Sequence, residues 1–104
     1  MTNNNVYHNE RAARIQRARY KEQCRRDNQP CMHCRERILY AAPATEPLSF
    51  TIEHLLSRRE GGARDDPNNW GPAHRRCNQE RGDMTLQQFA AKRQQRLNTS
   101  EEWT

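Results

Sequence analysis

The sequence is short of the residues from which a hydrophobic core is built. Only 33% of its 104 residues are hydrophobic and 7% are aromatic, whereas burial stabilises a fold by roughly 25 cal/mol per Å² of apolar surface. A domain of this size buries only a modest fraction of its surface even with an ordinary composition. We therefore expect a structural metal, disordered flanks, or both to accompany the fold.

Long apolar runs are also missing. No stretch approaches the roughly 18 apolar residues that a membrane-spanning helix needs, and the first ten residues lack the basic start and apolar segment of a signal peptide. We therefore expect a cytoplasmic protein with no membrane partner. Thiols stay reduced in that compartment, so the four cysteines indicate metal binding rather than disulfides.

Lysine is scarce, although the chain is basic. There are 16 arginines against 2 lysines, and the formal net charge is +5. The planar guanidinium of arginine pairs with phosphate through two parallel hydrogen bonds. This excess indicates a nucleic-acid partner, although basic charge also serves solubility and is weak evidence by itself.

Turn signals and charge divide the chain into three predicted parts. Residues 1–29 form a basic arm with a disordered start and a helix over 9–26, residues 30–83 form the central domain, and residues 84–104 form a C-terminal helix with a frayed tail. The arm helix has seven basic residues against two acidic ones, an excess equal to the whole chain's net charge of +5. It is interpreted either as an arm that neutralises phosphates or as a solvated leader.

Two short strands are expected in the central part. Residues 48–52 alternate apolar and polar side chains, which predicts a strand that ends at the dipeptide Glu53-His54. Residues 57–69 are rich in Gly, Asp, Asn and Pro and predict a loop. Residues 70–73 then form the second strand, which ends at His74.

Two helices are expected after the strands. The first begins at Arg75 and ends at Gly82, because glycine commonly follows a helix C-terminus. Thr85-x-x-Gln88 has the spacing of a capping box, and it opens a second helix over residues 86–97. The strands and helices together predict an α+β fold.

Two pairs of metal-ligating residues bracket the strands. Cys31-x-x-Cys34 and His74-x-x-Cys77 each place two ligands on one edge of a tetrahedron, and together they predict one structural Zn²⁺ site. Such a site makes metal binding part of the folding free energy. Cys24 is then a spare thiol. His33, inside the first pair, is expected to face solvent.

A second arrangement of ligands is also open. His74 and Asn78 are four residues apart and share one face of the predicted helix, so His74 could serve a different metal. The zinc site would then need Cys24 as its fourth ligand.

The order of the motifs PCMHC, FTIEHLLSRREGG and NNWGPAHRRCNQERG resembles that of the HNH endonuclease family, the ββα-metal nucleases. Within this family the chain is similar to the zinc-stabilised type common in phages. The resemblance covers roughly residues 30–83. It implies a small ββα-metal (His-Me finger) domain stabilised by a structural zinc and flanked by N- and C-terminal helices.

The resemblance also implies roles for individual residues. It assigns Glu53 and Asn78 as ligands of a catalytic Mg²⁺ or Mn²⁺, His54 as the general base, and Asn69 as the residue that braces the loop and the base. The asparagine at position 78 makes this an HNN variant. The residue types suit the chemistry, since imidazole accepts a proton near neutral pH and hard cations prefer oxygen ligands.

The leading hypothesis is therefore a DNA endonuclease that nicks or cuts both strands. Glu53 stands where the family usually has Asp, and His74 where it usually has Cys, so a decayed nuclease is also open. The alternatives are a non-catalytic zinc module that binds nucleic acid and a structural zinc domain that binds proteins. Phage packaging or recombination proteins are possible partners by resemblance, and the oligomeric state is undetermined. The arginines expected to hold the DNA backbone are Arg58, Arg59, Arg75, Arg76 and Arg81.

Overall fold

Two short antiparallel strands and the helix that follows them form the centre of the fold. The structure is a computed structural model, which describes residues 10–96 with their side chains and the helix backbone out to Thr2 and Glu102. The predicted disordered start and frayed tail fall on residues whose side chains are not described, and both stay predictions. In chain order the elements are α1 (Thr2–Arg26), β1 (Phe50–His54), a 3₁₀ turn (Pro67–Asn69), β2 (Trp70–His74), α2 (Arg75–Arg81) and α3 (Leu86–Glu102).

The two predicted site residues of β1 are paired with residues of β2 in the antiparallel ladder. Glu53 is opposite Gly71 and His54 is opposite Trp70. The predicted strand over 48–52 lies two residues too early, because the ladder with β2 continues through His54. Since α2 follows β2 without a loop, the unit is a ββα arrangement, and the predicted α+β class is confirmed.

The hydrophobic core is small and includes candidate metal ligands. Its buried members are Cys31, Ile38, Ala73 and Cys77. Two of these four residues are cysteines from the two predicted ligand pairs. The scarcity of apolar residues is thus met by a core that surrounds, and partly consists of, the candidate zinc site.

The basic helix α1 packs on the outer side of the hairpin through an aromatic contact. The ring of Tyr20 lies 5.3 Å from that of Trp70 and 6.4 Å from that of Phe50. Ala13 and Cys24 are buried on the same helix. The described part of α1 is therefore a docked helix rather than a solvated leader.

The helix α3 begins with the predicted capping box. The backbone N–H of Gln88 donates to the Thr85 hydroxyl, and the backbone N–H of Thr85 donates to the Gln88 side chain, at 3.1 and 2.9 Å. One turn later Phe89 is fully buried and covers the knuckle at His33. Within the described residues, no helix is long and apolar enough to cross a membrane.

Candidate active site and metal centre

Three thiols and one imidazole converge on a single point between the first knuckle and α2. One ligand atom from each of Cys31, Cys34, His74 and Cys77 lies within 4.8 Å of all the others. Nδ1 of His74 is 3.2 Å from Sγ of Cys34 and 3.9 Å from Sγ of Cys77. Three sulfur donors and one nitrogen donor match the ligand set of a structural Zn²⁺, so the residues fit this metal.

The orientation of His74 is set by a backbone carbonyl. Its Nε2–H donates to the carbonyl oxygen of Arg37 at 2.7 Å, which leaves Nδ1 directed at the thiols. Metal-binding histidines commonly make such a second hydrogen bond. Among the described residues Cys24 is outside this cluster, so the alternative in which His74 leaves the zinc site and Cys24 replaces it is not found.

The pKa values of two of the clustered thiols, Cys77 and Cys31, are shifted in opposite directions. Burial, followed by the neighbouring thiols of Cys31 and Cys34, raises the pKa of Cys77 to about 12. Burial also acts to raise the pKa of Cys31, but hydrogen bonds from the backbone of Cys34, His74 and His33 outweigh it, and the pKa of Cys31 is lowered. A bound Zn²⁺ would supply the positive charge that three thiolates require.

A cleft of about 300 Å³ opens where β1 ends, beside the loop and α2. We call it the Glu53 cleft. Its lining residues are Glu53, His54, Leu56, Ser57, Arg58, Gly62, Arg64, Asn78, Arg81 and Gly82. The structure thus brings the predicted base and both predicted ligands of the catalytic cation together on one concave surface.

Both carboxylate oxygens of Glu53 are engaged. Oε2 accepts a hydrogen bond from Nε2 of His33 at 2.6 Å, and Oε1 lies 3.0 Å from Nη1 of Arg81. The side chains of His33 and Glu53 are only 6% and 5% exposed. The expectation that His33 faces solvent is wrong, because its ring is turned inward and packs edge-on against Phe89 at 4.9 Å.

Arg81 differs from the other predicted DNA-binding arginines because it is buried. Its side chain is 3% exposed and donates to the backbone carbonyls of His54, Leu55 and Met84. A guanidinium that is enclosed and paired in this way holds the end of β1 to α2. The placement does not support a direct contact between Arg81 and DNA.

The tautomer of His54 follows from its hydrogen bond. Nε2 lies 2.9 Å from the carbonyl oxygen of Arg64, and a carbonyl only accepts, so Nε2 carries the hydrogen. The neutral ring then has Nδ1 unprotonated and able to accept a proton. Trp70 donates to the same carbonyl at 2.8 Å, which fixes the position of that oxygen.

Asn69 holds the loop that borders the cleft. Its Nδ2 donates to the carbonyls of Leu56 and Ala63 at 3.0 and 2.9 Å, and its Oδ1 accepts from the N–H of Leu56 at 2.8 Å. Gly62 is required here, since a Cβ would lie 2.0 Å from the Leu56 carbonyl oxygen. The bracing expected of Asn69 is therefore directed at the loop backbone.

Asn78 lies on α2 and lines the same cleft as Glu53. Its Nδ2 is directed at the carbonyl oxygen of Ile52 at 3.4 Å, so its Oδ1 is not used in that contact. A carboxylate and an amide oxygen are hard donors of the kind that Mg²⁺ and Mn²⁺ accept. The types of these two donors therefore fit such a cation.

The remaining arginines are distributed unevenly around the cleft. Arg58 lines it, Arg59 and Arg76 are exposed on the surface, and Arg75 donates to the carbonyl of Thr45 at 3.3 Å. Arg64 also lines the cleft, but it was not among the arginines predicted from the sequence to contact DNA. Its position in the turn-rich loop, close to the predicted base, could have indicated this role.

A second groove adjoins the first and runs between α1 and β1. We call it the α1 groove. It has a volume of about 430 Å³ and is lined by Arg17, Ala18, Lys21, Phe50, Thr51, Ile52, His54 and Arg64. His54 and Arg64 line both concavities, so the basic helix extends the positively charged surface away from the predicted base.

A comparison with protein families agrees with this geometry. The family described as HNH endonuclease matches residues 31–84, from the first knuckle cysteine to just beyond α2. The match covers slightly more than half of the chain. No curated protein and no solved structure matches the chain in the corresponding searches.

Proposed function

The chain belongs to the HNH endonuclease family, and from this premise we propose that it hydrolyses phosphodiester bonds in DNA with the help of Mg²⁺ or Mn²⁺. The observation that carries the proposal is the convergence of Glu53, His54 and Asn78 on the Glu53 cleft. Each residue is of the type that the reaction needs. Glu53 and His54 are the last two residues of β1, and Asn78 lies on α2.

His54 is proposed as the general base. Its unprotonated Nδ1 takes a proton from a water molecule, and the resulting hydroxide attacks phosphorus in line with the leaving 3′ oxygen. The P–O3′ bond then breaks, which leaves a 5′ phosphate and a 3′ hydroxyl after protonation. The hydrogen bond from Nε2 to Arg64 keeps the ring in the tautomer that this step requires.

Glu53 and Asn78 are proposed to hold the catalytic cation. Such a cation stabilises negative charge on the phosphate oxygens and on the leaving oxygen. Arg58 and Arg64 lie at the same cleft and would orient the phosphate through their guanidinium groups. The zinc site has a separate task, since it holds the knuckle and α2 together beneath the cleft.

The DNA backbone is proposed to continue from the Glu53 cleft into the α1 groove. Arg17 and Lys21 lie along that groove on the docked face of α1. Arg17 is also paired with Asp65 at 3.0 Å, which fixes the helix beside the loop that carries Arg64. The arm is thereby positioned to neutralise phosphates next to the scissile bond.

A second candidate function is a zinc module that binds nucleic acid without cutting it. The ion pair between Glu53 and Arg81 favours this candidate, because the guanidinium already neutralises the carboxylate that would attract a cation. The zinc ligands and the basic grooves are the same in both candidates. The two differ only in what the Glu53 cleft does.

The test is the nicking of supercoiled plasmid by the zinc-loaded protein with added Mg²⁺ or Mn²⁺. We expect wild type to nick, and His54→Ala to keep its zinc and its circular dichroism spectrum but lose at least about a hundredfold in rate. Gln79→Ala, an exposed change on α2, is the matched control and should nick normally. Equal nicking by wild type and His54→Ala would refute the base. DNA binding without nicking by wild type would favour the zinc module.

A further inference from the structure

The most unexpected contact in the molecule joins the zinc knuckle to the proposed cation site. His33 sits between the two knuckle cysteines in the motif PCMHC, and its Nε2 lies 2.6 Å from Oε2 of Glu53. Neither the zinc cluster nor the proposed cleavage step uses this imidazole. We propose that His33 is a third protein ligand of the catalytic cation and that it biases the site toward Mn²⁺ over Mg²⁺. This inference rests on the cation site of the proposed function.

The spacing of the two atoms suits a shared cation. Ligand atoms about 2.1 Å from one cation and at right angles to each other lie roughly 3.0 Å apart. The nitrogen of His33 and the oxygen of Glu53 are 2.6 Å apart, so they need to separate by only a few tenths of an ångström. The same nitrogen would then bind the cation through its lone pair, and the single hydrogen of the neutral ring would be carried on Nδ1 instead of Nε2.

The position of His33 is held from two sides. Its ring packs edge-on against Phe89, with centroids 4.9 Å apart, and Phe89 is fully buried in α3. The knuckle is also attached to β2, because the N–H of Met32 donates to the carbonyl of Pro72 at 2.9 Å. An imidazole fixed in this way adds a ligand with little loss of side-chain freedom on binding.

The knuckle packs on β2 at Pro72 and Gly71, next to the register position of Glu53. Gly71 is the partner of Glu53 across the ladder, and a Cβ on Gly71 would lie 2.6 Å from Sδ of Met32. A side chain at position 71 would therefore force the Met32 thioether to move. The packing of the knuckle on β2 places His33, which follows Met32, against the carboxylate of Glu53.

The charge of the site explains why a nitrogen ligand is useful. Nη1 of Arg81 lies 3.0 Å from Oε1 of Glu53. The positive guanidinium therefore weakens the attraction between this carboxylate and a cation. Both Mg²⁺ and Mn²⁺ prefer oxygen ligands, but Mg²⁺ is the smaller and harder ion and accepts an imidazole nitrogen less readily than the first-row metal Mn²⁺ does. A site with one half-neutralised carboxylate, one amide and one imidazole favours Mn²⁺.

The experiment is electron paramagnetic resonance of Mn²⁺ bound to the zinc-loaded, full-length protein without DNA. Zn²⁺ has a filled d shell and gives no signal. Echo-envelope modulation reports a directly bound imidazole nitrogen on Mn²⁺. We expect this nitrogen modulation in wild type and in His54→Ala, and its loss in His33→Gln, whose amide still donates to Glu53. Mn²⁺ affinity should fall at least tenfold in His33→Gln, while Mg²⁺ affinity changes less than threefold.

Each outcome bears on the inference. Mn²⁺ that binds wild type without nitrogen modulation refutes His33 as a ligand and leaves the proposed cleavage intact. Nitrogen modulation that persists in His33→Gln but disappears in His54→Ala assigns the bound nitrogen to His54. This result also refutes His33 as a ligand. Failure of the protein to bind Mn²⁺ refutes His33 as a ligand, and plasmid nicking with Mg²⁺ then decides separately whether the cleavage proposal survives. Modulation with no plasmid nicking supports the ligand and refutes only the nuclease. If His33→Gln fails to retain zinc, unlabelled wild type is compared with wild type that carries ¹⁵N-histidine. An Mn²⁺ spectrum that does not change on labelling counts against the inference.

Discussion

Arg81 and Glu53 form an ion pair in which Nη1 lies 3.0 Å from Oε1 and the two side chains are 3% and 5% exposed. The pair joins the end of α2 to the end of β1. It is therefore both a structural link in the ββα unit and the immediate neighbour of the proposed cation site.

Arg81→Ala is expected to destabilise the fold strongly. The change leaves the buried Glu53 carboxylate without its cation partner and removes donors to three backbone carbonyls. Breaking one partner of a buried pair costs about 3 kcal/mol or more. The measurement is urea unfolding with excess zinc. Arg76→Ala, an exposed change on the same helix, should stay within about 0.5 kcal/mol of wild type. Similar stabilities for the two variants would contradict the role given to the pair.

Cys34→Ala is expected to abolish zinc binding and unfold the central domain. Zinc contributes folding free energy where the apolar core is small, and Cys34 supplies one of the four clustered ligands. Wild type should contain about one zinc per chain by elemental analysis. Cys24→Ala is the matched control, since Cys24 is buried outside the cluster and should keep the metal. A folded, metal-free wild type would refute the structural zinc.

Zinc affinity is expected to fall as the pH falls. In the metal-free protein the pKa of Cys77 is raised to about 12, by burial first and then by the thiols of Cys31 and Cys34, so its thiol is protonated near neutral pH. Zinc must displace that proton, which makes affinity change about tenfold per pH unit for each proton released. Chelator competition at pH 8 and pH 6 should differ by at least about a hundredfold. An affinity independent of pH would show that Cys77 is not a ligand.

Asn69→Ala is expected to loosen the loop beside the Glu53 cleft. Three hydrogen bonds from one side chain are lost, and each contributes about 0.5–1.5 kcal/mol. We expect a loss of roughly 1.5–4.5 kcal/mol and faster amide exchange of the Leu56 N–H. Asn68→Ala is the matched control, because the neighbouring Asn68 is exposed and uses its backbone N–H, not its side chain, to bond Asp66. Equal exchange in both variants would count against the brace.

Arg64→Ala is expected to weaken DNA binding and to reduce its salt dependence. Arg64 lines both the Glu53 cleft and the α1 groove, where the backbone is proposed to pass. Loss of one phosphate contact should lower the slope of log K against log salt by about 1. The measurement is a fluorescence titration at several salt concentrations. Arg96→Ala on α3 is the control, since Arg96 lies away from both grooves and is paired with Glu80. An unchanged slope would remove Arg64 from the DNA path.

Much of the architecture was predictable because it depends on local spacing. The ligand pairs at Cys31 and His74 each bring two ligands together within one turn of chain. The capping box at Thr85 acts within a single helical turn. Such features need no knowledge of distant packing, and all of them are present in the structure. The end of β1 was misplaced by two residues, because its extent depends on the partner strand.

The contacts that surround Glu53 could not be predicted in the same way. His33, Glu53 and Arg81 are far apart in sequence, and their meeting depends on the knuckle packing on β2 at Pro72 and Gly71. The docking of α1 depends on Tyr20 meeting two rings from different strands. No periodicity along one element encodes either event.

The sequence alone therefore determined the two candidate ligand pairs, the order of the ββα elements and the resemblance to the family, since these depend on residue type and short spacing. The tertiary structure decided which side chains surround the carboxylate of Glu53, and that His33 and Arg81 are buried beside it. The physical reason is that burial and ion pairing are set by how separate elements pack. A charged residue such as Arg81 is equally compatible with solvent and with a buried partner until that packing is known.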